Sequence, residues 1–80
     1  MFQYFVYILK CSDGSYYTGI TNDFERRIIE HQDGIDPTCY TFKRRPLKLE
    51  FNEEFDNVLI AINFEKKIKD WTRLKKRSFN

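Results

Sequence analysis

The sequence predicts an α+β domain, with a three-stranded antiparallel sheet flanked by helices. Two early segments rich in aromatic and β-branched residues, joined by a turn, are typical of a hairpin. A third segment alternates apolar and polar residues, and two others carry apolar residues at helical spacing. The 80 residues are sufficient for one domain, so we expect residues 1–80 to fold as a single unit.

The predicted hairpin runs from Tyr4 to Cys11 and from Tyr16 to Ile20, with Asp13 in its turn. Successive residues of a strand point to opposite faces, and both faces of the first strand are apolar. We therefore expect this strand to be central and covered on both sides. Tyr7 is then largely buried, with its hydroxyl directed at a particular partner.

The first helix is predicted to start at Asn22 as N-cap, with Glu25 completing a capping box, and to end near Gly34. Helical spacing predicts an inner face made by Phe24, Ile28 and His31. Arg27 lies beside this inner face.

The remainder of the chain is predicted as a loop, a strand and a helix. Residues 33–45 form the loop, and Leu47 to Phe51 form the third strand. A long helix follows from Val58 to about Asp70, capped by either Asp56 or Asn57. Its predicted buried stripe is Ile60, Phe64, Ile68 and Trp71, with Ala61 and Glu65 at the border. Thr72 is predicted to cap a final basic helix through Arg77.

Composition excludes several classes of protein. Hydrophobic residues make up 41% and charged residues 32%, as in a folded globule, and three glycines and two prolines exclude collagen-like sequences. No run of apolar residues is long enough for a membrane helix, so we expect a cytoplasmic protein without a membrane partner. In that compartment Cys11 and Cys39 are expected to be reduced thiols, although a bridge between them stays open. Two cysteines and one histidine do not make a zinc site.

The charge is segregated along the chain. Residues 1–62 carry a net charge of −3 and residues 63–80 carry +5, while Lys43, Arg44 and Arg45 form a second basic run. This pattern favours a polyanionic partner such as nucleic acid, and a solvated lysine-rich helix explains it equally well.

The residues alone offer limited chemistry. Two tyrosines on adjacent strands, an arginine and a histidine one helical turn apart, and a half-buried glutamate allow a one-metal phosphodiester site. No serine-histidine-aspartate order or glycine-rich nucleotide motif is present. Each of these residues also has a structural interpretation, as a core aromatic, a surface ion pair or a satisfied histidine.

Three motifs carry a family resemblance: Phe5-Val6-Tyr7, Tyr17-Thr18-Gly19, and Asp23-Phe24-Glu25-Arg26-Arg27 with His31. They resemble the GIY-YIG endonuclease superfamily. The longer pattern, including Y-T-x-x-R-R-P and E-K-x-I-K-x-W, is similar to its small stand-alone bacterial (UPF0213-like) subfamily. The resemblance extends from Tyr4 to about Lys76 and implies a metal-dependent DNA nuclease.

The resemblance also implies roles for particular residues. Tyr7, Tyr17, Arg27 and His31 are the expected catalytic residues, and Glu65 is the expected ligand of a single Mg²⁺ or Mn²⁺ ion. Forming a phenolate at neutral pH costs about 4 kcal/mol at the ordinary tyrosine pKa of about 10, so a nearby positive charge is needed. One tyrosine would accept the proton of water while the other positions it, and the sequence leaves open which. Arg27 would stabilise the charge growing on the phosphate.

The loop before the third strand is expected to border this site. Tyr40 would line it, and Lys43, Arg44 and Arg45 would bind phosphates of the nucleic acid. Relatives usually have small and basic residues where this chain has Ile35 to Cys39. The change removes a lysine and adds Asp36, which weakens the expected affinity for phosphate.

Two functions follow from these expectations. The first is a structure-preferring or weakly specific endonuclease acting on branched, nicked or single-stranded DNA. The alternative is a weakly active or inactive module of the same fold that binds nucleic acid or docks on a protein. A homodimer or a protein partner is compatible with the aromatic-rich composition and the basic end.

Overall fold

The computed structural model describes the backbone of residues 3–77 and the side chains of residues 3–72. Strands β1 (Tyr4–Lys10), β2 (Tyr16–Thr21) and β3 (Lys48–Phe55) form one antiparallel sheet in the order β2-β1-β3. Helices α1 (Phe24–Asp33) and α2 (Val58–Arg77) flank the sheet, and a short 3₁₀ turn covers Phe42–Arg44. The predicted α+β class is confirmed, and β1 is the central strand as expected.

The two helices cover opposite faces of the sheet. On one face, Phe24 of α1 packs its ring 5.3 Å from that of Phe5 and 6.2 Å from that of Tyr7. On the other face, the ring of Phe64 in α2 lies 6.0 Å from that of Phe51 and 5.0 Å from that of Phe55. The alternation of β1 therefore sends Tyr7 and Leu9 toward α1 and Val6 and Ile8 toward α2, and all four are buried.

Helix α1 begins one residue later than the sequence predicted. Asp23, not Asn22, is the N-cap, and its side chain accepts a hydrogen bond from the backbone N–H of Arg26. The hydroxyl of Thr21 accepts from the backbone N–H of Asp23, which places the preceding turn around Asn22. Glu25 therefore does not complete a capping box. The predicted end is confirmed, because Gly34 adopts the left-handed conformation that closes the helix.

Strand β3 is longer than predicted. It continues past Phe51 to Phe55, and its polar residues Glu53 and Glu54 pair with Val6 and Phe5. Backbone pairing with β1 does not require apolar side chains, and β3 lies at the edge of the sheet, where its side chains reach solvent.

Helix α2 is rotated relative to the prediction. Ile60 and Trp71 are exposed, whereas Ala61 and Thr72 are buried. The hydroxyl of Thr72 lies 3.3 Å from that of Thr18 on β2 and also donates to the carbonyl of Lys69. Thr72 therefore lies inside one continuous helix rather than capping a second one.

Other expectations have mixed outcomes. The side chain of Asn57 accepts from the N–H groups of Leu59 and Ile60, so Asn57 rather than Asp56 caps α2. Neither cysteine is in a disulfide. Within residues 3–77, no helix is long and apolar enough to cross a membrane. The basic side chains of Arg73, Lys75, Lys76 and Arg77 lie outside the described part.

Candidate active site

The tyrosine of the first motif lies at the centre of the α1 face. Tyr7 is 1% exposed and pairs with Gly19 across the β1–β2 ladder. A methyl group at Gly19 would overlap the Tyr7 ring and its hydroxyl. The glycine of the second motif therefore leaves the space in which the Tyr7 side chain lies.

The Tyr7 hydroxyl belongs to a chain of buried polar groups. It lies 2.9 Å from Nε2 of His31, and Nδ1 of His31 lies 2.8 Å from the hydroxyl of Thr41. The Thr41 hydroxyl donates to Sγ of Cys39 at 3.4 Å. Every buried polar side-chain atom among the described residues has a partner, so this network is satisfied by the protein itself.

Tyr17 lies between this network and the loop after α1. Its ring is 6.4 Å from that of Tyr7 and 5.1 Å from the His31 imidazole. On its other side it stacks on Tyr40, with ring centroids 6.3 Å apart. Unlike Tyr7, Tyr17 is only partly buried, so a ligand has better access to it.

Arg27 lies at the border of the inner face, as predicted. It carries an ion pair with Glu30 at 3.3 Å, and its side chain remains 40% exposed. The neighbouring Tyr7 hydroxyl raises the pKa of Arg27 further above its usual range. Arg27 is therefore a permanent positive charge beside both tyrosines, accessible from solvent.

Burial shifts the titration of the three central groups. Desolvation raises the pKa of Tyr7 to about 12, against a smaller lowering by Arg27. It also raises the pKa of Tyr17, while Arg27 and Lys69 act in the opposite direction. Burial, together with the positive charge of Arg27, lowers the pKa of His31. At neutral pH the cluster therefore contains two neutral phenols, one neutral imidazole and one guanidinium.

Glu65 lies on the helix that covers the opposite face, next to the edge strand β2. Its side chain is 13% exposed and pairs with Nζ of Lys69 at 3.0 Å. One turn earlier, Ile62 lines a shallow pocket together with Arg27 and Glu30. One turn later, Lys69 is close enough to influence Tyr17. Glu65 thus lies on α2 with Lys69 as its ion-pair partner, whereas the tyrosines, Arg27 and His31 cluster on the α1 side.

The surroundings of Glu65 offer a metal ion few protein ligands. Among the described side chains, no three histidine, cysteine, aspartate or glutamate residues come together. Mg²⁺ often takes just one or two carboxylates and completes its shell with water and substrate phosphate. Glu65 fits that role as a half-buried hard oxygen donor, in competition with Lys69.

The basic run after Tyr40 is divided among different partners. Arg44 donates to Asp13 at 3.1 Å and to the carbonyl of Tyr40 at 2.7 Å, and its guanidinium lies 3.8 Å above the Tyr40 ring. Arg45 donates to the carbonyl of Phe42 and covers its ring. Lys43 is exposed. Arg44 is thus held by contacts within the protein at its surface, whereas Lys43 extends into solvent.

A pocket of about 210 Å³ opens beside the cluster, lined by Arg27, Glu30, His31, Gly34, Ile35, Asp36, Cys39, Thr41 and Phe42. The segment 35–39, where the chain differs from the expected pattern, forms part of this wall. Asp36 uses its carboxylate to accept from the N–H and hydroxyl of Thr38, at 2.9 and 2.6 Å.

The sequence-predicted residues are thus brought together unequally. Tyr7, Tyr17, Arg27 and His31 form one cluster, and Tyr40 stacks on it. Two residues that were not predicted as site residues also contact this group: Thr41 through His31, and Asp13 through Arg44. The signals available in the sequence were the place of Thr41 in the motif Y-T-x-x-R-R-P and that of Asp13 in the predicted hairpin turn.

The chain is similar to known proteins along most of its length. The family model described as the GIY-YIG catalytic domain matches residues 3–78. A UPF0213 protein of Staphylococcus saprophyticus is 45% identical over 95% of this chain and 92% of its own length. A UPF0213 protein of Halobacterium salinarum is 44% identical over 91% of this chain and 94% of its own.

Solved structures are similar as well. The solution structure of a UPF0213 protein from Bacillus halodurans is 39% identical, with a TM-score of 0.57, over 96% of this chain and 81% of that one. A solution structure from E. faecalis is 35% identical, with a TM-score of 0.62 and the same coverage.

Proposed function

The chain belongs to the GIY-YIG family, and on that premise we propose that it is a divalent-metal-dependent DNA endonuclease formed by residues 1–80 as one domain. The observation that carries the proposal is the cluster of Tyr7, Tyr17, Arg27 and His31 on the α1 face. A fixed positive charge beside two phenols and a neutral imidazole suits attack of water on a phosphodiester.

Arg27 is the residue that binds the scissile phosphate in this proposal. Its planar group donates in a fork that matches two phosphate oxygens, and it keeps its charge at any working pH. Its ion pair with Glu30 is partly exposed, so a doubly held phosphate anion can replace the carboxylate. Negative charge that grows on the phosphate in the transition state then strengthens this contact.

Tyr7 accepts the proton of the attacking water, and Tyr17 positions the reactants. A free Tyr7 phenolate at neutral pH costs about 7 kcal/mol with a pKa near 12, which is a large part of a catalytic barrier. Transfer of the Tyr7 proton to His31 as the oxygen accepts one from water avoids that species. Tyr17, which is more accessible, positions the water or the phosphate.

Glu65 would hold one Mg²⁺ or Mn²⁺ ion in place of its ion-pair partner Lys69, and water and substrate phosphate would supply the other ligands. When bound, the ion supplies positive charge to the leaving oxygen.

DNA would approach across the loop that borders the cluster. Lys43 and Arg45 provide phosphate contacts, while Arg44 packs over the Tyr40 ring and donates to its carbonyl. Contacts of this kind carry little sequence information, so we expect a preference for branched, nicked or single-stranded DNA rather than for a sequence.

A second candidate is a binding or protein-docking module of the same fold without turnover. The pairing of Glu65 with Lys69 and the acidic Asp36 at the pocket wall favour it, because both reduce affinity for a metal–phosphate complex. The two candidates differ in turnover.

The test is incubation with branched, nicked and single-stranded DNA, with and without Mn²⁺ or Mg²⁺. The nuclease proposal expects metal-dependent cleavage that is lost in Tyr17→Phe, Arg27→Ala and Glu65→Ala while folding is retained. Arg26→Ala is the matched control, since Arg26 lies on the exposed side of the same helix. Salt-dependent binding without cleavage would instead support the module. If the protein neither binds nor cleaves DNA, the nuclease and the nucleic-acid-binding module are both rejected, and the protein-docking role remains.

A further inference from the structure

The inference concerns the position of one proton in the buried network. His31 is 5% exposed, and both of its ring nitrogens have partners: Tyr7 at Nε2 and Thr41 at Nδ1. A neutral imidazole carries its proton on only one nitrogen, and heavy-atom distances do not reveal which. The hydrogen-bond partners at the two ends of the network identify the nitrogen that carries the proton.

At one end, Thr41 has a single hydroxyl proton and is 1% exposed. That proton is donated to Sγ of Cys39 at 3.4 Å. The Thr41 oxygen is then an acceptor toward His31, so Nδ1 carries the hydrogen. Sγ of Cys39, 3.8 Å from Nδ1, is a longer and weaker contact that does not change this assignment.

At the other end, the Tyr7 hydroxyl lies 2.9 Å from Nε2 of His31. The neighbouring guanidinium of Arg27 has donors only and cannot accept the Tyr7 proton, so that proton points to Nε2. If Nε2 carried a hydrogen, the Tyr7 oxygen would face donors on both sides and its proton would lose this acceptor. Both ends thus require the same tautomer.

We propose that Thr41 is a positioning residue that holds His31 with its proton on Nδ1, so that Nε2 is free to receive the Tyr7 proton. The tautomer follows from the contacts alone, and its catalytic consequence rests on the proposed function. A valine at this position would keep the shape of the side chain and remove the acceptor.

The proton of the attacking water passes through Tyr7 to His31 in this proposal. The oxygen of water bonds to phosphorus, the bond to the leaving sugar oxygen breaks, and the water proton passes to the Tyr7 oxygen. The Tyr7 proton moves to Nε2 of His31, which becomes an imidazolium with both N–H groups bonded. The leaving oxygen takes a proton from solvent, and His31 later returns its proton to solvent.

Nitrogen NMR of the side chain tests the tautomer directly, because His31 is the single histidine of the chain. In ¹⁵N-labelled protein above the His31 pKa, we expect a protonated, pyrrole-type Nδ1 and an unprotonated, pyridine-type Nε2. The reverse pattern in the wild type overturns the inference. This measurement needs no DNA, metal or activity, so its failure is distinct from failure of the proposed function.

Variants test the part played by Thr41. Thr41→Val should raise the population of His31 protonated at Nε2 and lower kcat about tenfold or more, with little change in KM. Thr41→Ser should keep the wild-type tautomer and the wild-type kcat.

A second variant changes the other partner of Thr41. Cys39→Ala releases the Thr41 proton toward Nδ1 and should shift the tautomer the same way. Cys39 is less buried than Thr41, so this variant serves if Thr41→Val does not fold. Thr72→Val, a buried threonine on the α2 side of the sheet, is the matched control. An unchanged nitrogen spectrum in Thr41→Val, or in Cys39→Ala where Thr41→Val is not folded, contradicts the role given to Thr41.

Discussion

The α1 side of the sheet buries Tyr7, His31 and Thr41 in a hydrogen-bonded chain. The α2 side, among the described residues, buries mainly apolar side chains, Val6, Ile8 and Ala61, beside the hydroxyls of Thr18 and Thr72. A chain of 80 residues has a thin core, and each buried polar group costs desolvation unless it is bonded. Apolar residues would stabilise the α1 side more simply. The concentration of titratable groups on that side therefore points to chemistry rather than to stability.

The largest expected contrast is in catalysis. Arg27→Ala should lower the rate of metal-dependent DNA cleavage about 10²- to 10³-fold, because it removes the positioned charge that faces the phosphate. Arg26→Ala, one residue away on the same helix, should stay within a few-fold of the wild type. Initial rates with Mn²⁺ measure both, and equal losses in the two variants would remove the distinction between Arg27 and an ordinary surface arginine.

The next contrast is in stability. Thr41→Val leaves an N–H of buried His31 without an acceptor, and the free energy of unfolding should fall by about 1–3 kcal/mol. Replacing both Thr18 and Thr72 by valine removes both partners of one bond and should change it by less than about 1 kcal/mol. Urea denaturation measures both changes. A larger loss in the double variant would show that the α2 side, not the α1 side, depends on its polar groups.

These two contrasts also show what the sequence can provide. The alternation of β1, the inner face of α1 and the cluster of Tyr7, Arg27 and His31 follow from periodicity and from motifs. Their patterns are local, and a central strand apolar on both faces has one place in a small sheet.

Other features depend on contacts between distant segments. Ile60 and Trp71 fit a helical stripe, but the Thr18–Thr72 contact and the close packing of Ala61 rotate α2 away from it. His31, which contacts Thr41, and Asp13, which contacts Arg44, lie on other elements, so no spacing within the chain reveals these two contacts. Long-range packing, not local preference, decides such cases.

A smaller effect is expected from pH. The pKa of His31 is lowered in the folded protein, so the unfolded chain takes up this proton first as the pH falls below about 6.5. Stability should be fully present above that value and decrease down to the lower folded pKa, by at most about 1.4 kcal/mol per pH unit. His31→Gln should lose this slope, which urea titrations between pH 7 and 5 would detect. An equal slope in the variant would assign the effect to other groups.

The smallest effect is expected on the outer side of α2. Ile60 is 56% exposed, so Ile60→Ser should change the free energy of unfolding by about 0.5 kcal/mol or less. Ile28→Ser, on the inner side of α1, should cost several times more, because Ile28 packs against the core around Tyr7 and Leu9. Thermal unfolding of the two variants compares them. A comparable loss at Ile60 would show that the outer side of α2 is covered in solution.

The central claim, that the α1 side is where this protein meets its substrate, is tested most directly by amide NMR of the labelled protein with a short nicked DNA duplex and no metal. The account predicts shifts for Arg27, Gly34 and residues 38–45, weakening as salt is raised. Shifts confined to β3 and the outer side of α2 would contradict it.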